Sequence, residues 1–392
     1  MINKISSKRT YRVFIAFSIC MIVLGASDSL RGIFSIVFQE YYELSTTQLS
    51  IIVTMSYLGN LVFLFCGGNF LDRFNKKYFF VSTLSIWMIG ALLFIKGNSY
   101  TSLLIGMFLC TGASTLLNTT INILVPAIFA GAPGLIVNVL FFIQGIGTSG
   151  SQKIVGRFAV DISYWKMVNI VLLGVSLIGM LFMFYSTIPK VERKKENISY
   201  VHIIKSPAFI FYILIFGFYF IAEHGILNWF MLYGINGLEL EYDKASFFLS
   251  IFFGGITLGR LMFAPLVQML GVQRSVIVFG LIGGLLYIIG IAGGIKTVVL
   301  LSGSGLILSI LYPTLVLMIQ SYYDKECIAS ATGVIISIAT LFDIIFNLGF
   351  GKIVDTLGMR QSFYILQISM LLFLSSLIFF HKKVKVEKVK VY

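Results

Sequence analysis

The chain has 392 residues, 58% hydrophobic and 11% charged, with a formal net charge of +13. An ordinary soluble domain carries about 45–50% apolar and about 25% charged residues. The apolar excess here runs the whole length, which excludes a soluble domain with a single anchor. The basic residues sit in short clusters between apolar runs and at the two ends, the pattern that orients membrane helices, not one that binds nucleic acid.

A membrane-spanning helix needs about 20 mostly apolar residues. Twelve runs qualify, at about 12–38, 48–70, 78–95, 100–129, 133–159, 164–186, 207–235, 245–268, 275–295, 298–322, 327–354 and 359–380. They are too long, and too little alternating, for barrel strands. The expectation is an all-α polytopic membrane protein.

The first run, Val13 to Phe38, is longer than a secretory leader's apolar core and is read as a retained helix. It contains LGASDSLRGIF, where Asp28 and Arg31 lie three residues apart. A charge at that depth costs about 2.5–3.5 kcal/mol on insertion scales. It persists only if it is paired, hydrated in a cavity, or used. Asp28 and Arg31 share a helix face at this spacing, so mutual neutralisation and a working carboxyl both stand as readings.

After the second run comes the polar hairpin Gly68 to Lys77, GNFLDRFNKK. The fourth run carries Asn118 and Asn122 within LLNTTIN, and the fifth carries Gln144 and Lys153. Pro189 to Lys205 is the longest polar stretch and is read as a cytoplasmic linker over 189–206. It divides the chain into an N-terminal bundle (1–188) and a C-terminal bundle (207–380), followed by a basic tail (381–392). The seventh run carries Glu223, His224 and Trp229, the eighth Arg260, and the eleventh Asp343. Cys20, Cys66, Cys110 and Cys327 fall in or beside apolar runs without metal-ligand spacing and read as small buried hydrophobes. Lys and Arg gather before the first run, in the 73–77 hairpin, in the central stretch and after His381. Both ends are therefore expected on the cytoplasmic side of a plasma membrane.

The halves read as copies. An offset of 195 residues carries Gly156 onto Gly351, Thr148 onto Asp343 and Asp28 onto Glu223. Such internal similarity between six-helix halves is a transporter signature. Counted from the cytoplasmic ends, Asp28, Glu223 and Asp343 fall at one depth near the middle of the bilayer, with Asn118, Asn122 and Gln144 close by. Arg31 has no counterpart one turn beyond Glu223, where Ile226 stands.

The hairpin Gly68-Asn69-Phe70-Leu71-Asp72-Arg73-Phe74-Asn75-Lys76-Lys77 resembles the major facilitator signature: a glycine, then Asp-Arg four residues on, then a basic pair. Asn75 replaces a usual glycine, a change tolerated because Asn also adopts positive φ. The resemblance covers essentially the whole chain. It implies the major facilitator fold of two six-helix pseudo-repeats, with Asp72, Arg73 and Lys77 in a cytoplasmic gate. It also implies helices one, four, seven and ten lining a cavity, so that Asp28 and Glu223 would face each other across the pseudo-twofold axis. GASDSLRG, IAEHGILNWFMLYG, FFGGITLGRL and GLILSILYPTL are similar to the first, seventh, eighth and tenth helices of the fucose-permease-like branch of sugar–proton symporters. The branch often has an acid in the fourth helix where this chain has Asn118 and Asn122.

A carboxyl withdrawn from water can load and release protons, and can also bind substrate hydroxyls. Asp28, Glu223 and Asp343 are therefore the proton or substrate candidates. Asn118, Asn122 and Gln144 are candidate hydrogen-bonding groups, and Trp229 a stacking surface. Arg31, Lys153 and Arg260 are candidate charge partners. His224 reads as a hydrogen-bonded interhelical histidine. No phosphate loop, dinucleotide fingerprint, zinc pair or Ser–His–Asp set is present, so neither an enzyme nor a cofactor or metal is expected. The expected partners are a small solute, protons and lipid, with no nucleic acid, and a monomer is expected. The leading function is a proton-coupled importer of a small polar solute, a sugar foremost. The alternative is a proton-antiport exporter of drugs or metabolites, for which the 37 phenylalanines leave room. A transport-dead sensor would be expected to carry a soluble appendage.

Overall fold

The structure is a computed structural model describing residues 7–188, 200–320, 322–323 and 328–383. Among the described residues there is no strand. Among the described residues, twelve helices are long and apolar enough to cross a membrane: α1 Thr10–Ile33, α2 Thr46–Gly67, α3 Lys76–Lys96, α4 Tyr100–Ile128, α5 Pro133–Ile154, α6 Ile162–Phe184, α7 Pro207–Gly237, α8 Tyr242–Leu270, α9 Val272–Ala292, α10 Val298–Gln320, α11 Ser330–Leu357 and α12 Met359–Lys383. This is the all-α, twelve-helix architecture that hydropathy indicates.

The helices start where local chemistry satisfies their free N–H groups. The Asn75 side chain accepts from the Lys77 amide at 3.0 Å to open α3. Ser99 does the same for α4 at 3.2 Å and Ser206 for α7 at 3.3 Å. Asp161 caps α6 through the Ser163 amide, and hydrogen bonding from Ser163 holds its carboxyl below the usual carboxylate range. Pro133 and Pro207 occupy first-turn positions of α5 and α7, where the missing N–H costs nothing.

Three boundaries differ from the apolar runs. The first run breaks at Phe34, and Ser35–Tyr41 form a separate short helix. α10 is interrupted at Ser309 and Ile310, between Val298–Leu308 and Leu311–Gln320. Pro313 has no N–H to offer Ser309 and its ring crowds that carbonyl. The Leu308 carbonyl beside the break accepts from the Tyr219 hydroxyl at 3.5 Å. The final helix continues through Lys383, so the start of the basic tail is helical. Tyr200–Lys205, inside the polar stretch, is a six-residue helix; residues 189–199 and 384–392 lie outside the described residues.

The chain divides into two compact units, Met1–Lys194 and Lys195–Tyr392. In the first, α1 packs on α5 and α6, α2 on α4, and α3 on α4 and α6. In the second, α7 packs on α11 and α12, α8 on α10, and α9 on α10 and α12. The pairings repeat six helices on. Within the first unit α1 and α5 meet backbone to backbone: a Cβ at Gly25 would overlap the Gln144 carbonyl, and one at Gly147 the Ile22 carbonyl. Small residues permit that approach in lipid.

The repeat extends to a loop detail. Glu43 (φ 51°) and Glu239 (φ 56°) are the only non-glycine residues at positive φ among the described residues. Each follows the first helical segment of its half and precedes a buried leucine, Leu44 or Leu240. The Leu44 amide bonds back to the Gln39 carbonyl at 2.9 Å, and Leu240 to Gly234 at 2.8 Å. A left-handed non-glycine residue costs about 1–2 kcal/mol, partly offset by glycine's greater unfolded-state entropy. Glu43→Gly and Glu239→Gly are therefore expected each to stabilise the protein by about 0.5–1 kcal/mol, read as a rise in the thermal unfolding midpoint of purified protein in detergent.

Candidate functional site

The polar residues of α1 point in different directions because each residue advances the helix by about 100°. Asp28 is half-buried, and its Oδ2 accepts from the Ser114 hydroxyl of α4 at 2.9 Å. Ser29, fully buried, shares a 2.6 Å hydroxyl–hydroxyl bond with Ser151 of α5. Arg31 is buried; its Nη2 donates to the Tyr57 hydroxyl of α2 at 3.4 Å, and its guanidinium lies 5.0 Å from the centre of that ring. The charge of Arg31 also acts on Asp28. Arg31 therefore lies close enough for its charge to act on Asp28, and Asp28 keeps a separate hydroxyl partner in Ser114.

Ser114, Asn118 and Asn122 recur every fourth residue and form one stripe of α4. The Asn118 Oδ1 is buried without a hydrogen-bond partner. Gln144, half-buried on α5, lies against Gly25, and the Thr148 hydroxyl donates to the Gly25 carbonyl at 3.1 Å. Gln152 is fully buried with both amide atoms lacking partners. The first half thus holds a carboxylate, a guanidinium and spare amide hydrogen-bonding capacity within α1, α2, α4 and α5.

The second half is built differently. Glu223 is half-buried on α7. It interacts with the Tyr219 hydroxyl one turn earlier, and its charge also acts on Tyr287 of α9 and Tyr312 of α10. Arg260 of α8 acts on Tyr219 and Tyr312 too, which places the acid and the base beside the same two phenols; its Nε is buried without a partner. His224 turns to α11, where its Nδ1 lies 2.7 Å from Asp343 Oδ2. Asn347 Nδ2 donates to the Asp343 backbone carbonyl at 2.7 Å, and Trp229 Nε1 donates to Asn347 Oδ1 at 2.8 Å. Trp229 is fully buried and packs on Phe350 at 4.9 Å between ring centroids, so its ring is occupied by protein contacts.

The sequence model of the Major Facilitator Superfamily matches residues 15–341. The chain belongs to the Major Facilitator Superfamily. It is accordingly a transmembrane transporter and not an enzyme. Among solved structures it is similar to a D-xylose–proton symporter (TM-score 0.79, 12% identity, covering 97% of this chain and 99% of that one). It is also similar to a mutant of the nucleoside transporter NupG (TM-score 0.74, 13% identity, 93% and 99%). The E. coli fucose:proton symporter is a further likeness (TM-score 0.66, 15% identity, 93% and 98%). At these identities the likeness shows the fold. Among curated proteins, none matches this chain in sequence.

The superfamily hairpin lies at the end of the helix Thr46–Arg73. Asp72 and Arg73 fall on that helix, and their side chains lie outside the described residues. Lys77 Nζ donates to the Phe184 carbonyl at 2.6 Å and lies 5.6 Å from that ring, closing the C-terminal end of α6. Lys153 is exposed on the last turn of α5. Among the described residues no group of three His, Cys, Asp or Glu could hold a metal.

Sequence reasoning missed Tyr57, Ser114, Ser151, Tyr219, Tyr312 and Asn347. Spacing held a signal for three of them: Ser114 stands four before Asn118, Tyr219 four before Glu223, and Asn347 four after Asp343.

Arg31 is buried and its charge acts on Asp28, and removing one of two such charges leaves the other less compensated. Arg31→Met is therefore expected to destabilise the protein. Adding Asp28→Asn should restore part of that loss, with a coupling of about 1 kcal/mol or more in a double-mutant cycle, measured by thermal unfolding of the four proteins.

Proposed function

We propose that this superfamily member is a proton-coupled importer of a small hydroxylated solute, a sugar or a nucleoside. It would work by alternating access as a monomer in the plasma membrane, with both termini in the cytoplasm. The single observation that carries the proposal is the pair of half-buried carboxyls, Asp28 and Glu223. They stand at matching positions of the two halves, and each is met by a hydroxyl, Ser114 or Tyr219. The Ser114 hydroxyl, which donates to the Asp28 carboxylate, occupies the place a solute hydroxyl would take. Solute binding and protonation then compete for, or complete, the same oxygen atoms, which is how one carboxyl links two ligands.

The remaining groups fit a solute of this class. Asn118 keeps a buried oxygen without a partner, an acceptor for a further hydroxyl or an N–H. Asn122 and Gln144 add amides on α4 and α5, the elements that carry Ser114 and touch Gly25. Arg31 and Arg260 hold the local charge near balance while each acid is ionised. Asp72, Arg73 and Lys77 are proposed for the cytoplasmic gate, and 189–206 for the linker between the bundles. The sugar–proton symporters among the structural likenesses and the nucleoside transporter support the choice of solute class and coupling ion.

The test is uptake by the purified protein in proteoliposomes under an imposed inward proton gradient, screened with radiolabelled D-xylose, L-fucose and uridine beside a drug-efflux panel. The expected result is gradient-dependent accumulation of at least one of the three. Asp28→Asn and Glu223→Gln should each lower it about tenfold or more, within the usual range of coupling free energies. Full activity in both variants, or efflux of drugs with no uptake, contradicts the proposal.

A further inference from the structure

Half 1 and half 2 differ most at one repeated junction. Where α1 meets α5, the contacts are hydroxyls: Ser29 with Ser151 at 2.6 Å, and Thr148 with the Gly25 carbonyl at 3.1 Å. The 195-residue offset that carries Asp28 onto Glu223 carries Ser29 onto His224 and Thr148 onto Asp343. Where α7 meets α11, the contact is therefore ionisable, His224 Nδ1 to Asp343 Oδ2 at 2.7 Å.

We propose that His224 and Asp343 form a further proton-loading element of the second half, beside Glu223, which binds one proton as a unit. The inference rests on the proton-coupled reading above. Three observations carry it. Asp343 is sealed, at 1% side-chain exposure, whereas His224 is the open end at 28%. The second carboxyl oxygen, Asp343 Oδ1, is buried with no hydrogen-bond partner, so the ionised carboxylate depends on the imidazole. The pair is also held at fixed separation from outside: Asn347 ties the Asp343 carbonyl to Trp229, which fixes the register of α11 against α7.

The proton balance is simple. With neutral imidazole and carboxylate, the pair carries one negative charge in a dry environment. One proton taken from water at the open imidazole makes it neutral overall, as imidazolium–carboxylate, and the same proton leaves by the imidazole when access switches. Carrying a net charge through a low-dielectric passage is costly and carrying a neutral pair is not, so the protonated form is the one that moves.

Other titratable and charged groups at this level are Glu223 and Tyr219 of α7, Arg260 of α8, Tyr287 of α9 and Tyr312 of α10. They cluster about Glu223. His224 is connected to them through stacked Phe220, at 5.1 Å from His224 and 6.0 Å from Tyr312. From α12, Ser369 reaches the Phe218 carbonyl, while Arg360 and Tyr364 act on Tyr233, more than two turns further along α7.

The experiment is a pH titration of the full chain in lipid nanodiscs with nitrogen-15-labelled histidine, followed by magnetic resonance; His224→Gln assigns the signal against His202 and His381. The expected result is that His224 takes up one proton across about pH 4–9, and that Asp343→Asn moves its midpoint by about one unit or more, the usual effect of an adjacent charge. Asp343→Glu should keep the midpoint near that of the wild type. An unchanged midpoint in Asp343→Asn, or a ring that does not titrate, overturns the inference. Should Asp343→Asn fail to fold, the carboxyl infrared band of Asp343 in wild type and His224→Gln decides the matter: a band whose pH dependence is the same in both overturns it. These readouts need no solute, so a failed solute screen counts against the function proposed above and not against the pair. If D-xylose, L-fucose or uridine is moved, His224→Gln should abolish gradient-driven accumulation while preserving solute counterflow; loss of neither contradicts the role in coupling.

Discussion

A charge inside a membrane-spanning helix survives only where neighbouring helices supply its partners, and that constraint organises this molecule. α1 carries three polar residues on three bearings and meets three different helices with them: Asp28 with Ser114 of α4, Ser29 with Ser151 of α5, and Arg31 with Tyr57 of α2. The close backbone approach at Gly25 and Gly147 brings α5 near enough for the Ser29–Ser151 contact. Packing and polar satisfaction are thus one problem here. The same small residues that let helices touch also decide which polar groups meet.

The repeat gives each half the same helix pairings and the same left-handed glutamate after its first helix, but not the same chemistry. The first half answers its acid with an arginine and a serine. The second surrounds Glu223 with phenols and places a separate buried acid, Asp343, against a histidine. The two halves share a scaffold, and divergence at single positions such as Ser29 and His224 gives them different polar contacts. A superfamily fold alone does not assign function to such contacts.

Much of the architecture was legible in the sequence. Run length and the absence of alternation gave twelve helices, and the Gly68–Lys77 hairpin pointed to the superfamily, because both signals are local. Depth counting also picked out Asp28, Glu223 and Asp343 as intramembrane acids. What the sequence did not disclose depends on tertiary contact. The break in α10 follows from Pro313, yet an apolar run hides it. The end of α1 at Ile33 lies inside a continuous apolar stretch. The partners Tyr57 and Ser151 come from helices distant in the chain, and a lone Ser or Tyr in an oily run carries no mark of its role. Trp229 looked like a surface for a sugar ring, but its N–H goes to Asn347 and its ring to Phe350.

The central claim is that Asp28 and Glu223 couple proton movement to solute movement. Its most direct measurement is the external pH of a lightly buffered suspension of proteoliposomes on addition of D-xylose, L-fucose or uridine in the absence of any imposed gradient. The account predicts alkalinisation as protons enter with the solute, and none with the Asp28→Asn/Glu223→Gln double variant. Solute entry without a pH change in the wild type, or equal alkalinisation by the double variant, would contradict it.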